Sequence, residues 1–322
     1  MQKTAIITGI TGQDGAYLSR LLLEKNYKVI GLIRKESKEN FFGLEYLGIK
    51  DRIIFEKCNL LDFSEVKNIL KEFSPNEVYN LAAQSSVGFS FEKPMETINF
   101  NITSVLNILE AIKEVDKKIK LYQASSSDMF GNIDRLPVRE DSIIHPTSPY
   151  AVSKVTGHWM TINYRESYSL FACCGILFNH ESYLRSSNFF VKKVVRAAVD
   201  IREGKQEKLQ VGDMDLRRDF GYAPDYVMAM WLMLQQDKPK DYIICSGKSI
   251  SLREIVEYVF EKLKIDKIKI VKDESFFRPN DIKNIYGENE KAKNELGWKY
   301  DKTFFDVLDV LVEEELKARG AK

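Results

Sequence analysis

The 322-residue chain has few cysteines (four), few histidines (three) and only eight prolines. Cys58, Cys173, Cys174 and Cys245 form no Cys-x-x-Cys, and two of them are neighbours, so neither a disulfide framework nor a zinc ribbon is expected. His145, His158 and His180 are too scattered to predict a metal centre. Neither charge sign dominates: 48 Lys and Arg balance 47 Asp and Glu, which argues against a nucleic-acid binder. No apolar run is long enough to cross a bilayer. The sequence opens directly into the strand-like Thr4–Thr8 with no leader ahead of it, so a reduced, cytoplasmic, metal-free protein is expected.

What the chain does have is an alternating rhythm. Ala5–Thr8, Lys28–Ile33, Arg52–Cys58, Glu77–Leu81, Lys120–Ala124 and Phe171–Phe178 are short and apolar or β-branched. Helical patterns separate them: Tyr17–Lys25, Ser64–Phe73, Ile102–Val115 and Tyr150–Tyr168. Strands joined by helices of this length need right-handed crossovers, which predicts an α/β fold with a doubly wound parallel sheet of Rossmann type. After Asn179 the rhythm breaks. A polar stretch, Glu181–Asn188, leads to a helix from Phe189 to about Glu203 and a short strand near Leu209. The helix around Pro224–Gln236 and the strand Tyr242–Cys245 return to the main sheet, and Leu252–Lys264, Ile268–Val271 and a helix from Phe304 complete the tail. The predicted division is a dinucleotide-binding part, 1–178 and 215–247, and a smaller α/β substrate lobe, 179–214 and 248–322.

Gly9-Ile10-Thr11-Gly12-Gln13-Asp14-Gly15 follows the first strand and opens the first helix. Glycines there permit a tight turn, close approach of pyrophosphate and helix–strand packing, and the helix N-terminus supplies N–H groups to the phosphates. The second strand ends in Arg34-Lys35-Glu36-Ser37, where an NAD enzyme has an acid. Cations and a hydroxyl at that point predict a 2′-phosphate, hence NADP. Asp62 is expected at the adenine, and Leu81-Ala82-Ala83-Gln84 beneath the cofactor.

Tyr150 and Lys154 stand one helical turn apart on one face. A cation beside a phenol lowers its pKa, so the pair is expected to yield a tyrosinate that takes a proton from a sugar hydroxyl. Ser125-Ser126-Ser127-Asp128 follows the fifth strand, at the carboxyl edge where α/β sheets bind ligands. A serine there holds the reacting oxygen. Asp128 is the informative member: oxidation or epimerisation at one carbon needs no extra carboxylate, whereas elimination of water needs a base for the neighbouring proton.

With these pieces in place the chain resembles the extended short-chain dehydrogenase/reductase superfamily from end to end. Within it, the chain is most similar to the GDP-mannose 4,6-dehydratase family. The motifs are Thr8–Gly15, Gln123-Ala124-Ser125, Ser148–Lys154, Asn163-Tyr164-Arg165-Glu166 and Gly175–Ser182, then Arg218-Asp219-Phe220-Gly221, Ala229–Gln236, Phe277-Arg278-Pro279 and Leu296-Gly297-Trp298. The resemblance implies that Ser126 holds the sugar O4, Tyr150 is the base at C4 and Lys154 tunes it. It places Asn179 and His180 at the nicotinamide, with Leu61, Leu177 and Arg185 also on the cofactor. It places Arg218 and Arg278 on the substrate pyrophosphate, with Ser85, Asn179, Lys193 and Asp281 on the substrate too. It implies a GDP-sugar substrate, a homodimer or homotetramer, and an internal redox cycle giving a 4-keto-6-deoxy sugar. The rival on the same fold is a C4 dehydrogenase, epimerase or 4-keto reductase. Two departures stand out. The family has Glu where this chain has Asp128, and Pro-Arg-Arg-Gly-Glu where it has Tyr183-Leu184-Arg185-Ser186-Ser187. The second leaves open mannose, a modified hexose or a heptose.

Overall fold

The computed structural model describes residues 2–35 and 40–320. Six parallel strands, β1 (Thr4–Thr8), β2 (Lys28–Ile33), β3 (Ile54–Lys57), β4 (Glu77–Asn80), β5 (Lys120–Ser126) and β6 (Ala172–Leu177), are joined by Tyr242–Ile244 into one seven-stranded sheet. Its order runs β3-β2-β1-β4-β5-β6 and then Tyr242–Ile244, all parallel. Helices cover both faces, and all six residues of β6 are buried. On one face lie α1 (Gln13–Glu24) and the helix Ala223–Leu234, packed through Leu18, Leu22, Val227 and Met230. On the other lie Phe63–Phe73, Pro94–Val115 and Pro149–Tyr168, through Val66, Ile69, Ile108, Ile112 and Tyr164. This is the doubly wound sheet that the rhythm predicts.

The second core lies under three helices, Phe190–Arg202, Leu252–Lys262 and Phe304–Ala318, with Val194, Val195, Val259, Phe260 and Leu311 in its interior. Its sheet is built on Arg217–Tyr222, which pairs with Asn179–Glu181, Ser249–Ser251 and Asn284–Ile285.

Several boundaries differ from the sequence expectation. Arg217–Tyr222, expected in the dinucleotide part, pairs in the small sheet; Ala292, Leu296, Trp298 and Tyr300, expected in the substrate lobe, pack in the main core. The main-core aromatics group around Tyr226, whose ring meets Trp298 and Tyr300 at centroid separations of 5.8 and 5.9 Å. The helix expected from Ile102 begins at Pro94. Its first turns look like loop because they carry Thr97 and Asn101, but both are buried and hold the turn after β4. Thr97 accepts from Gln84 Nε2 at 2.9 Å, and Asn101 Oδ1 from the Gln84 N–H at 2.8 Å. The strand expected at Ile268–Val271 runs Ile270–Lys272.

One ion pair ties the last strand to the sheet. Arg165 makes two parallel bonds to Asp241, at 2.9 and 2.7 Å, and Asp241 also accepts the Cys174 N–H at 2.7 Å. Removing the carboxylate leaves a partly buried guanidinium with only the Ala172 carbonyl, at 3.1 Å, and the Cys174 N–H without its partner. Asp241→Ala should therefore cost about 2–4 kcal/mol, read as a lowered unfolding midpoint in denaturant with an unchanged slope.

Candidate active site

Between β1 and β4 the strand order reverses, and the loops at the carboxyl ends of the strands part there, which is where a sheet of this kind opens a crevice. A cleft of about 1570 Å³ runs from this point across to the small lobe. Gly9, Thr11, Gly12, Gln13, Asp14, Gly15, Arg34, Lys35, Leu61, Leu81, Ala82, Ala83, Leu177, Asn179, His180 and Arg185 all line it. So do Ser85, Ser126, Asp128, Tyr150, Lys154, Lys193, Arg218, Arg278 and Asp281. Among the expected site residues in the described part, Asp62 alone does not. Its carboxylate caps the helix Phe63–Phe73 by accepting from Ser64 and Glu65 N–H at 2.9 and 3.2 Å. Aspartate is a strong helix cap, and that competing use of an Asp between strand and helix looks the same in sequence. Ser37 lies outside the described residues.

The glycine turn is built for close approach. Gly9 has φ +67°, and a Cβ on it would stand 2.9 Å from the Ala82 nitrogen; one on Gly15 would stand 2.4 Å from the Gly9 carbonyl oxygen. Gly12 starts α1 without a side-chain cap, so the first-turn N–H groups face the cleft unclaimed by any cap. The residues fit the pyrophosphate of a dinucleotide. Thr8 supports the turn from below: its Oγ1 accepts the Leu81 and Ala82 N–H groups, both at 3.0 Å, and donates to Asn80 at 2.6 Å. At the end of β2, Lys35 is held by Glu65 at 2.6 Å, so of the two expected phosphate ligands it is already paired.

Ser126, Asp128, Tyr150 and Lys154 form one wall. Ser148 caps the helix Pro149–Tyr168 by accepting the Ala151 N–H at 3.1 Å, which fixes where Tyr150 and Lys154 point. Ser126 Oγ accepts the Asp128 N–H at 3.2 Å. Burial pushes the Asp128 carboxyl above its usual range, with Arg218 and Arg278 opposing and Asp281 reinforcing. Burial and the Asp128 charge push the Tyr150 phenol well up, against a hydrogen bond with Ser126 and the charge of Arg185. The expectation that Lys154 depresses this phenol is corrected. Lys154 donates to the Ala124 carbonyl at 2.9 Å, and burial brings its own pKa down to about 8.

At the far end Asp281 braces two guanidiniums, Arg278 at 3.4 Å and Arg218 at 3.6 Å, so both are held at one place on the wall. Lys193 lies over the Phe276 ring at 3.7 Å, and Gly212 packs against Phe276. The sequence reading missed Phe276, Gly212 and Asp213 in this wall, and Asn101, which holds Gln84 and Ser153 together at 2.8 and 2.9 Å. An isolated aromatic or Gly-Asp pair gives no periodic or spacing signal. Among the described residues, no group of three or more His, Cys, Asp or Glu side chains stands ready for a metal, and no helix is long and apolar enough to cross a membrane.

Comparison with known proteins agrees with this fold. The family model for GDP-mannose 4,6 dehydratase matches residues 6–310. GDP-mannose 4,6 dehydratase 1 of Arabidopsis thaliana is 43% identical over 98% of this chain and 90% of its own length. The GDP-mannose 4,6-dehydratase of Vibrio cholerae is 38% identical over 98% and 95%. Among solved structures, the dTDP-glucose 4,6-dehydratase of Streptomyces venezuelae, with NAD bound, superposes with a TM-score of 0.89 at 21% identity, over 98% of each chain. The UDP-glucose 4-epimerase of Thermotoga maritima gives 0.88 at 23%, over 98% of this chain and 99% of its own.

Gly15→Ala puts a methyl group into the Gly9 carbonyl and Ile10, backbone that cannot step aside. Dinucleotide binding should fall by more than about tenfold and the melting temperature should drop together with it, measured by NADPH fluorescence and thermal unfolding.

Proposed function

Because this chain belongs to the GDP-mannose 4,6-dehydratase family, we propose that it converts GDP-mannose, or a related GDP-sugar such as a heptose, to the 4-keto-6-deoxy product. The observation that carries the reading is the wall on which Ser126, Asp128, Tyr150 and Lys154 meet, with the carboxylate buried beside the phenol. A C4 epimerase or dehydrogenase has no work for Asp128; a dehydratase does.

In this reading the dinucleotide-binding part holds a nicotinamide cofactor, which when bound supplies an acceptor for the C4 hydride and its return to C6. Ser126 donates to O4 and Tyr150 removes the O4 proton. Asp128 takes the C5 proton as water leaves from C6, and protonation at C5 closes the cycle. Arg218 and Arg278, braced by Asp281, bind the substrate pyrophosphate through paired N–H groups, a role for which the guanidinium fork is shaped. Asn179, His180 and Arg185 line the nicotinamide end, and Ser85 and Lys193 the substrate. Keeping every intermediate in one cleft makes cofactor exchange unnecessary. The preferred cofactor is NADP, since Arg34 ends β2 where a ribose-binding acid would stand. The enzyme works in the cytoplasm as a homodimer or homotetramer.

Incubation of the pure protein with GDP-mannose and catalytic NADP⁺ should give a product lighter by one water with no accumulation of NADPH. An unchanged mass would remove mannose as the substrate and direct the same assay to GDP-heptoses. Asp128→Asn should lower water loss by about 10²–10⁴-fold while leaving NADPH formation at C4 detectable. Asp128 acts as a base only when ionised, and its folded pKa lies above the ordinary value. The rate should therefore fall on acidification through a limb set above that value, and Asp128→Asn should erase the limb. Arg34→Ala should weaken NADPH about 10-fold or more and NADH little, by fluorescence titration.

A further inference from the structure

Asp14 stands in the first turn of α1, against the N–H groups offered to a pyrophosphate. A carboxylate there repels the anion that the helix end is built to bind. The fold answers this with a residue 166 positions away. His180, buried, places Nε2 at 2.9 and 3.0 Å from the two Asp14 oxygens, and Nδ1 at 2.7 Å from the Phe178 carbonyl oxygen. Both partners only accept. A neutral imidazole has one N–H and would aim a lone pair at one of these oxygens, so the arrangement calls for the imidazolium. Asp14 is held as the carboxylate by a further donor, Gln13 Nε2 at 3.1 Å, and Gln13 also donates to the His180 carbonyl at 3.1 Å. Ser182 closes the ring by donating to Gln13 Oε1 at 2.8 Å.

We propose that the Asp14–His180 ion pair is a proton-dependent clasp. It cancels the negative charge at the pyrophosphate turn and fixes that turn to the Asn179–Glu181 strand, so that the dinucleotide binds more tightly while His180 is charged. His180 is then a positioning residue acting through Asp14. The proposal rests on the reading that the glycine turn holds a dinucleotide.

The charged surroundings are Asp14 on α1, Glu181 and Arg185 on the histidine's own segment, and the Tyr226 ring from the helix Ala223–Leu234, 4.7 Å away. Glu181 in turn pairs with Arg185 at 3.5 Å and feels the charge of Lys192. Burial works against the imidazolium, but the charge and hydrogen bond of Asp14 outweigh it and raise the pKa of His180. Burial likewise opposes the Asp14 carboxylate, which His180 and Arg185 bring down. A raised folded pKa gives a contribution that is complete below the ordinary histidine value and lost as pH climbs past the raised one. A lowered Asp14 gives one that is lost only in acid. The clasp is therefore closed below the ordinary histidine value and opens as pH climbs past the raised one.

The test has two arms. With only three histidines, the imidazole signals of the labelled protein without ligand can be assigned by His145→Gln and His158→Gln. His180 should carry both N–H protons at pH 7 and titrate above 6.5; a neutral ring at pH 7 overturns the proposal. In the second arm NADPH binding is followed by fluorescence across pH. His180→Gln, which leaves Asp14 charged, should weaken binding about tenfold at pH 7 and flatten the alkaline fall. The double variant Asp14→Asn with His180→Gln, which removes both charges, should recover most of that loss. A double variant no better than His180→Gln overturns the electrostatic role. Wild-type protein that binds neither NADPH nor NADH at any pH would sink the dinucleotide reading itself; binding with a neutral His180 sinks only the clasp.

Discussion

How closely α1 can approach the end of β1 sets the geometry of the whole cleft. The Gly9 carbonyl, the Ile10 backbone and the start of α1 share a space in which Gly15 has no room for one more carbon. That contact draws the helix N-terminus over the strand ends, and the turn after β4 is then held on it through Thr8. The reversal of strand order between β1 and β4 does the rest. The helices on either side leave in opposite directions, and the crevice between them stays open to a ligand.

The proposed catalytic wall shows the cost of taking ionisable groups out of water. Burial pushes Asp128 and Tyr150 upward and Lys154 downward, each toward its uncharged form. Around Asp128 the structure supplies compensation, in Arg218 and Arg278, both steered by Asp281. Their charges oppose the upward push that burial gives this carboxyl. The phenol has less support: a hydrogen bond with Ser126 and the more distant charge of Arg185. The same Arg185 acts on the Asp14–His180 pair, so the two halves of the cleft share one electrostatic supply.

Much of this is legible in the sequence because it is local. The glycine turn, the short apolar strands β1 to β6 and the Tyr150–Lys154 spacing are each contained in a few consecutive residues, and the strands are long enough to show a pattern. What was not legible is short or remote. Asn179–Glu181 and Ser249–Ser251 have three residues each, too few for a period, and Asn179–Glu181 looks polar because His180 and Glu181 are buried against charged partners instead of apolar ones. Arg217–Tyr222 carries two arginines at its start, so it reads as a loop before the helix that follows. Asp62 was misplaced because a cap and a ligand contact call for the same residue at the same point between strand and helix. Lys35 was credited to phosphate because nothing in the sequence shows that Glu65 will fold against it.

Asp128 stands at a fixed depth in the proposed catalytic wall. Its backbone is pinned, since its N–H is donated to Ser126 and the residue lies within the 3₁₀ turn Ser127–Phe130, with Met129 and Phe130 buried beneath it. The side chain therefore starts from a fixed point, and a carboxylate one methylene shorter than the glutamate of the resembled family ends further from the substrate. Moving the backbone forward to compensate would pull Met129 and Phe130 out of a core that holds Val138, Ile176 and Phe178.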